Sequence, residues 1–120
     1  VVSTSVGDIS VDSGTLAFDA GSSWLNGTNV TVRGAGRLEI AQSRTFDKRR
    51  AVLRLADDGV LSIPEGVSQM VNALYHEGRK MTPGVYGSLE SSASNKSLAR
   101  HFVGKGCLSV RLGGTVMIVR

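Results

Sequence analysis

The pentapeptide GRLEI occupies residues 36–40, and GVLSI repeats its pattern at residues 59–63. GTLAF stands before them at 14–18 and GCLSV after them at 106–110, so the chain contains Gly-x-Leu-x-apolar four times. In each copy two apolar side chains are separated by one residue, which is the period of a β-strand. The pattern therefore indicates short strands, each preceded by a glycine at a corner of the chain. We expect a positive φ at the equivalent corners Gly14, Gly36 and Gly59.

These strands recur at a nearly constant interval along three tracks. The spacings are 22 and 23 residues on the first track and 21, 23 and 21 residues on the second. A shared period of about 22 residues is typical of a repeat architecture. The first track comprises Leu16, Leu38 and Leu61, the second Ile9, Val30, Leu53 and Leu74, and the fainter third Val2, Trp24 and Phe46.

Three short strands in each interval predict an all-β fold, a right-handed parallel β-helix of about three to four coils. One coil cannot bury its own apolar face, but stacked coils form a continuous apolar column. An antiparallel sandwich is the alternative, although it does not explain the shared period. The residues predicted to line the interior are Ile9, Val11, Leu16, Phe18, Val30, Val32, Leu38, Ile40, Leu53, Leu55, Leu61, Ile63 and Leu74.

The composition suits a single folded module over residues 1–120, because 41% of the residues are hydrophobic and 20% are charged. The chain begins VVSTS, without an initiator Met or a signal peptide, so we expect a module cut from a longer protein. No stretch approaches 18 apolar residues, and the bases behind the formal charge of +4 are scattered apart from residues 48–50. We therefore expect neither a membrane nor a nucleic-acid partner.

Residues 61–88, LSIPEGVSQMVNALYHEGRKMTPGVYGS, and 101–110, HFVGKGCLSV, carry a family pattern. They resemble the C-terminal β-helical segment of secreted bacterial proteins of the autotransporter-associated repeat type. The likeness covers about half the chain and implies a parallel β-helix and a secreted or cell-surface bacterial setting. Cys107 departs from the family's usual Thr, and His76 from a usual apolar residue. The matching residues are Gly84, Tyr86, Gly87, Phe102, Gly104, Gly106, Leu108 and Val110.

The chain is also similar, in size and coil number, to small β-helical carbohydrate-binding modules attached to xylanases. That narrower resemblance implies non-catalytic binding of a plant cell-wall polysaccharide, with xylan favoured. It also implies a glycoside hydrolase catalytic domain in the parent protein as a partner. It supplies no motif that assigns individual binding residues.

The strand period itself places candidate binding residues on the outside of the column. Neighbouring coils lie about 4.8 Å apart, close to the length of one sugar in an extended chain. On the second track the outward residues Thr31, Arg54 and Tyr75 supply a hydroxyl, a donor fork and a ring, which suit sugar hydroxyls and C–H faces. Trp24 is expected in the core, and it becomes the best sugar platform if it points outward. The alternative for each residue is an ordinary solvated face.

Catalytic chemistry is not indicated, and we predict no enzyme, no metal and no cofactor. His76 and His101 lack metal-ligand spacing, and Asp57 and Asp58 fit a corner turn better than a calcium site. Glu39 is the one carboxylate on the two predicted outward tracks, whereas a glycosidase needs a facing pair.

Two other functions remain open. The first is a structural C-terminal cap or spacer of a bacterial surface protein, because the irregular segment 78–100 can fold over an end or side of the column. The second is a fragment of a polysaccharide-degrading β-helix enzyme. Fold alone does not separate these functions from glycan binding.

Overall fold

The structure is a computed structural model that describes residues 2–5, 8–19, 29–47 and 49–111. Trp24 and its place on the third track lie outside these residues. The described chain is all-β apart from one 3-10 turn, Ala99–His101. Its strands are β1 (Val2–Ser5), β2 (Asp8–Ala17), β3 (Asn29–Glu39), β4 (Val52–Leu55), β5 (Val60–Ser62), β6 (Ser68–Val71), β7 (Ala73–His76), β8 (Arg79–Lys80), β9 (Gly84–Gly87), β10 (Phe102–Val103) and β11 (Cys107–Val110).

Eight strands form a curled sheet, and three more form a small sheet. In the large sheet β2, β3, β4 and β7 follow one another in parallel, while β1 and β8 close its two ends by antiparallel pairing. A branch of the same sheet continues from β3 through β5 to β10, also in parallel. The small sheet has the order β6, β11, β9.

The second sequence track is a row of directly paired residues in the large sheet. Ile9 pairs with Val30, Val30 with Leu53, and Leu53 with Leu74. The predicted stacking of Val30 on Leu53 is therefore confirmed. The antiparallel alternative is wrong for these strands, because each of these pairings is parallel.

The first track is likewise in register, with Leu38 paired to Leu16 on one side and to Leu61 on the other. Eleven of the thirteen predicted interior residues are buried; Leu16 and Phe18 are only partly buried. The reason is their position at the sheet edge, because β1 pairs only with residues 8–11 of β2. Phe18 still packs edge-to-face on Phe46, with ring centroids 5.6 Å apart.

The corner glycines are required for a different reason than the sequence suggested. We expected a positive φ at Gly14, Gly36 and Gly59, but of these only Gly14 has one, at 75°. A Cβ on Gly36 would collide with the carbonyl oxygen of Val11, and one on Gly59 with that of Val32. Close stacking of one corner on the next thus excludes side chains there.

The third track continues through a polar residue. Gln69 on β6 is fully buried, and its Oε1 accepts hydrogen bonds from the backbone N–H groups of Thr45 and Phe46 at 2.9 and 3.1 Å. Its Nε2 donates to the Phe46 carbonyl oxygen at 3.1 Å. A side chain therefore connects the short third-track segment of residues 45–46 to the small sheet.

Segment 77–100 contains β8, at the end of the large sheet beside β7, and β9 of the small sheet. Its strand β9 pairs antiparallel with β11, on the side of the small sheet away from β6. Tyr86 is fully buried there, and its hydroxyl donates to the Thr82 carbonyl oxygen at 2.7 Å. Tyr86 is therefore a core residue of the small sheet. None of the described helices is long and apolar enough to cross a membrane.

Candidate functional site

The large sheet brings three predicted site residues together on its outer surface. Thr31 of β3 pairs with Arg54 of β4, and Arg54 pairs with Tyr75 of β7. Ser10 of β2 precedes this row, and Lys80 of β8 follows it. We call these five residues the axial ladder. Its members lie on five successive strands, so the ladder crosses the strands at right angles.

Arg54 and Tyr75 form a cation–π pair within the ladder. The guanidinium carbon Cζ lies 4.5 Å from the centroid of the Tyr75 ring. The guanidinium therefore covers one face of the ring, which we had expected to be free for a sugar. Arg54 is exposed, and none of the ion pairs among the described residues involves it. Its N–H groups remain available to an external acceptor.

A polar row borders the axial ladder on one side. Arg33 Nε lies 2.8 Å from Asp12 Oδ1, and the Ser10 hydroxyl donates to the same oxygen at 3.1 Å. The hydrogen bond from Arg33, helped by that from Ser10, holds the pKa of Asp12 below its usual value. Asp12 is therefore a charged partner of Arg33 rather than a proton donor at neutral pH.

The other outward track offers no unpaired carboxylate. Glu39 Oε2 lies 2.7 Å from Arg37 Nε on the same strand. Along this track Glu39 pairs with Ala17 and Ser62 on the neighbouring strands, which carry no ionisable group at these positions. At the positions paired with Glu39, this surface therefore lacks the second, facing carboxylate that a glycosidase needs.

The structure also brings together two histidines that lie 25 residues apart in the sequence. The Nε2 atoms of His76 and His101 lie 3.1 Å apart, and His101 Nδ1 lies 2.8 Å from the carbonyl oxygen of Gly59. A carbonyl oxygen only accepts, so His101 carries its proton on Nδ1. In the neutral pair His76 Nε2 is then the donor and His101 Nε2 the acceptor. Burial, and next the neighbouring His101, lower the pKa of His76.

The two acidic residues Asp57 and Asp58 lie in a turn. The Oδ2 atom of Asp57 accepts a hydrogen bond from the backbone N–H of Gly34 at 3.2 Å, and Asp58 Oδ1 lies 3.7 Å from Arg100 Nη1. Within the part of the chain that the structure describes, no group of three or more His, Cys, Asp or Glu side chains is placed to hold a metal ion.

Comparisons of the chain with protein families, curated proteins and solved structures found no match. The two resemblances drawn from the sequence motifs therefore stay predictions.

Proposed function

We propose that residues 1–120 form a right-handed parallel β-helix of about three to four coils, one module of a larger bacterial protein. The support is the common register of the tracks. Each step along β2, β3, β4 and β7 repeats the same parallel pairing, and so does each step along β2, β3, β5 and β10. In this β-helix the parallel pair β6 and β11 supplies the third side of the last two coils.

The proposed module binds a plant cell-wall polysaccharide without catalysis, and xylan is the first glycan to test. The observation that carries this proposal is the axial ladder, in which Thr31, Arg54 and Tyr75 stand on successive strands and Arg54 stacks on Tyr75. The rungs are about 4.8 Å apart, so consecutive sugars can meet consecutive side chains.

The chemistry of the ladder suits a carbohydrate. The Arg54–Tyr75 stack presents an aromatic ring and a guanidinium donor fork next to each other. Packing a sugar against part of the ring contributes roughly 1–2 kcal/mol by area. Hydrogen bonds from Arg54 and Thr31 to sugar hydroxyls contribute about 1 kcal/mol each. A dissociation constant in the micromolar to millimolar range follows from these contributions.

The proposal includes the setting of the module. It is secreted or displayed at the bacterial cell surface, and it assists a glycoside hydrolase domain of the same parent protein. It takes no cofactor, and neither nucleic acid nor membrane is its partner. The resemblance to autotransporter-associated repeats and to β-helical modules of xylanases supports this part of the proposal.

A structural cap or spacer is the second candidate. One observation favours it: short antiparallel strands lie at two edges of the large sheet, β1 beside β2 and β8 beside β7. A short, charged edge strand such as Arg79–Lys80 of β8 hinders pairing with other chains, and a terminal cap needs this property.

Isothermal titration calorimetry against a panel of soluble glycans separates the two functions. A binding module gives heat with at least one xylan or related polysaccharide, whereas a bare cap gives none with any member of the panel. The same mixtures are assayed for reducing sugar and unsaturated products. Release of either product would establish the enzyme alternative instead.

A further inference from the structure

A second concave surface runs along the outer side of the small sheet. Two adjoining depressions of about 570 and 500 Å³ share Ser68 of β6 as a lining residue. The first lies between β6 and residues 43–47 and 49, and the second continues over β11 toward residues 92–94. We call the combined feature the side groove. Its course across β6, β11 and β9 parallels that of the axial ladder across the large sheet.

The side groove carries positive charge in both of its depressions. Arg44 and Arg49 line the first depression, Lys105 lines the second, and Asp47 is the one carboxylate among the lining residues. Asp47 is already engaged, because its Oδ1 accepts the backbone N–H of Arg49 at 2.8 Å and its Oδ2 lies 3.9 Å from Arg50 Nε. None of the ion pairs among the described residues involves Arg44, Arg49 or Lys105.

Between these charges the lining alternates hydroxyls with small apolar surfaces. Ser68 and Ser109 contribute hydroxyls from the sheet, and Ser92 contributes one from the opposite wall. Met70 is 36% exposed and lies on the first depression, while Val85 lies on the second. Hydroxyls match the donors and acceptors of sugars, and the apolar patches match sugar C–H groups.

The same lining disfavours a nucleic acid. Single-stranded nucleic acids bind through aromatic rings on which successive bases stack. The one aromatic residue among those lining the two depressions is Phe46, which is 3% exposed and packs on Phe18. A polyanion that fits this groove therefore carries its charges on hydroxyl-rich sugar rings. Such a polyanion binds without stacking on an aromatic side chain.

We infer that the side groove binds an acidic polysaccharide, a chain in which some sugars carry carboxylates. Arg44 and Arg49 pair with one carboxylate and Lys105 with another further along the chain. The serine hydroxyls contact the sugars between them. This inference rests on the proposed glycan-binding function and adds a substrate class to it.

The test uses calorimetry with oligogalacturonate, neutral xylo-oligosaccharide and oligothymidylate at low and high salt. The groove variant is the double substitution Arg44→Gln with Arg49→Gln. The matched control is Arg79→Gln with Lys96→Gln. It also removes two positive charges, but from exposed positions outside the axial ladder and the side groove. Lys105→Gln tests the far end of the groove, and circular dichroism checks that each variant is folded.

The groove variant is expected to bind oligogalacturonate about fivefold to tenfold more weakly than the wild-type chain, as the loss of two exposed ion pairs implies. The control variant is expected to change affinity less than twofold. Lys105→Gln weakens binding only of oligosaccharides long enough to reach it. Addition of salt reduces wild-type affinity for oligogalacturonate but not for the neutral oligosaccharide.

Three results would overturn the inference: no binding of oligogalacturonate, equal losses in the groove and control variants, or tighter binding of oligothymidylate. These results leave the proposed function intact if the wild-type chain still binds xylo-oligosaccharide through Tyr75. The opposite result is also distinguishable. If the chain does not bind xylo-oligosaccharide but binds oligogalacturonate through the side groove, the xylan proposal fails and the inference about the side groove holds.

Discussion

The Nε2 atoms of His76 and His101 meet at 3.1 Å across an interval of 25 residues. His76 ends β7 and His101 immediately precedes β10, so the contact joins the two ends of segment 77–100. His101 is fully buried and anchored to Gly59, whereas His76 is only partly buried. The contact therefore links the two ends of this segment through side chains.

This pair predicts a stability that falls as the solution becomes acidic. The pKa of His76 lies below 6.5 in the folded protein, because burial and then His101 disfavour its charge; Arg100 and Arg79 act in the same direction and Glu77 opposes them. The unfolded chain therefore binds more protons in this range, and stability is complete above about pH 6.5 and is lost as pH falls through the folded pKa. We expect a lower melting temperature at pH 5 than at pH 7.5.

The substitution His76→Gln is the control for this pH dependence. The Gln amide can still donate a hydrogen bond to His101 Nε2, but it does not titrate. We expect its melting temperature to change less between pH 5 and pH 7.5 than that of the wild-type chain. An identical pH profile in the two proteins would assign the effect to other groups.

The central position of Leu38 predicts a large cost for its truncation. Leu38 is 0% exposed and stacked between Leu16 and Leu61. Leu38→Ala should lower the free energy of unfolding by about 2–5 kcal/mol, through lost burial and the cavity left behind. Leu16→Ala, at the sheet edge, should cost less. Urea denaturation of both variants checks the order, and equal costs would contradict the central position of Leu38.

The row from Ile9 to Leu74 could be read from the sequence because burial of one strand face imposes a fixed register. The same logic failed at Gln69, which lies 23 residues after Phe46 but is polar. A search for apolar periodicity therefore stops there, although Gln69 supplies the hydrogen bonds that continue the track.

The candidate site was likewise only partly predictable. Register placed Thr31, Arg54 and Tyr75 in one row, because outward positions follow from inward ones. Periodicity carries no information on side-chain rotamers, so the stacking of Arg54 over Tyr75 could not be foreseen. It also carries none on the contact of His76 with His101, because the irregular segment between them has no period.

Gln69 leads to a further prediction about stability. Replacing it with Leu keeps the size and leaves the buried N–H groups of Thr45 and Phe46 without their acceptor. Each unsatisfied buried group costs about 1–3 kcal/mol. We expect Gln69→Leu to lower the free energy of unfolding by roughly 2–5 kcal/mol in urea denaturation. A stability equal to that of the wild-type chain would show that these N–H groups find other partners.

The axial ladder makes the last prediction, which concerns glycan binding. Tyr75→Ala removes both the ring and the surface on which Arg54 stacks, so it should weaken binding of xylan about tenfold or more. Arg54→Ala should weaken it about fivefold, because it loses the donor fork and leaves the ring in place. Calorimetry with xylo-oligosaccharides measures both changes.

Arg37→Ala is the matched control for Arg54→Ala, since Arg37 is an outward arginine of β3 on the other track and its partner is Glu39. Its affinity for xylan should stay within about twofold of the wild-type value, because exposed ion pairs of this kind contribute little. Tyr75 is partly buried, so Tyr75→Ala also costs some stability, and its melting temperature must remain above the assay temperature. Normal binding by a folded Tyr75→Ala protein, with lost binding on substitution of Trp24, would move the binding surface from the axial ladder to the third track.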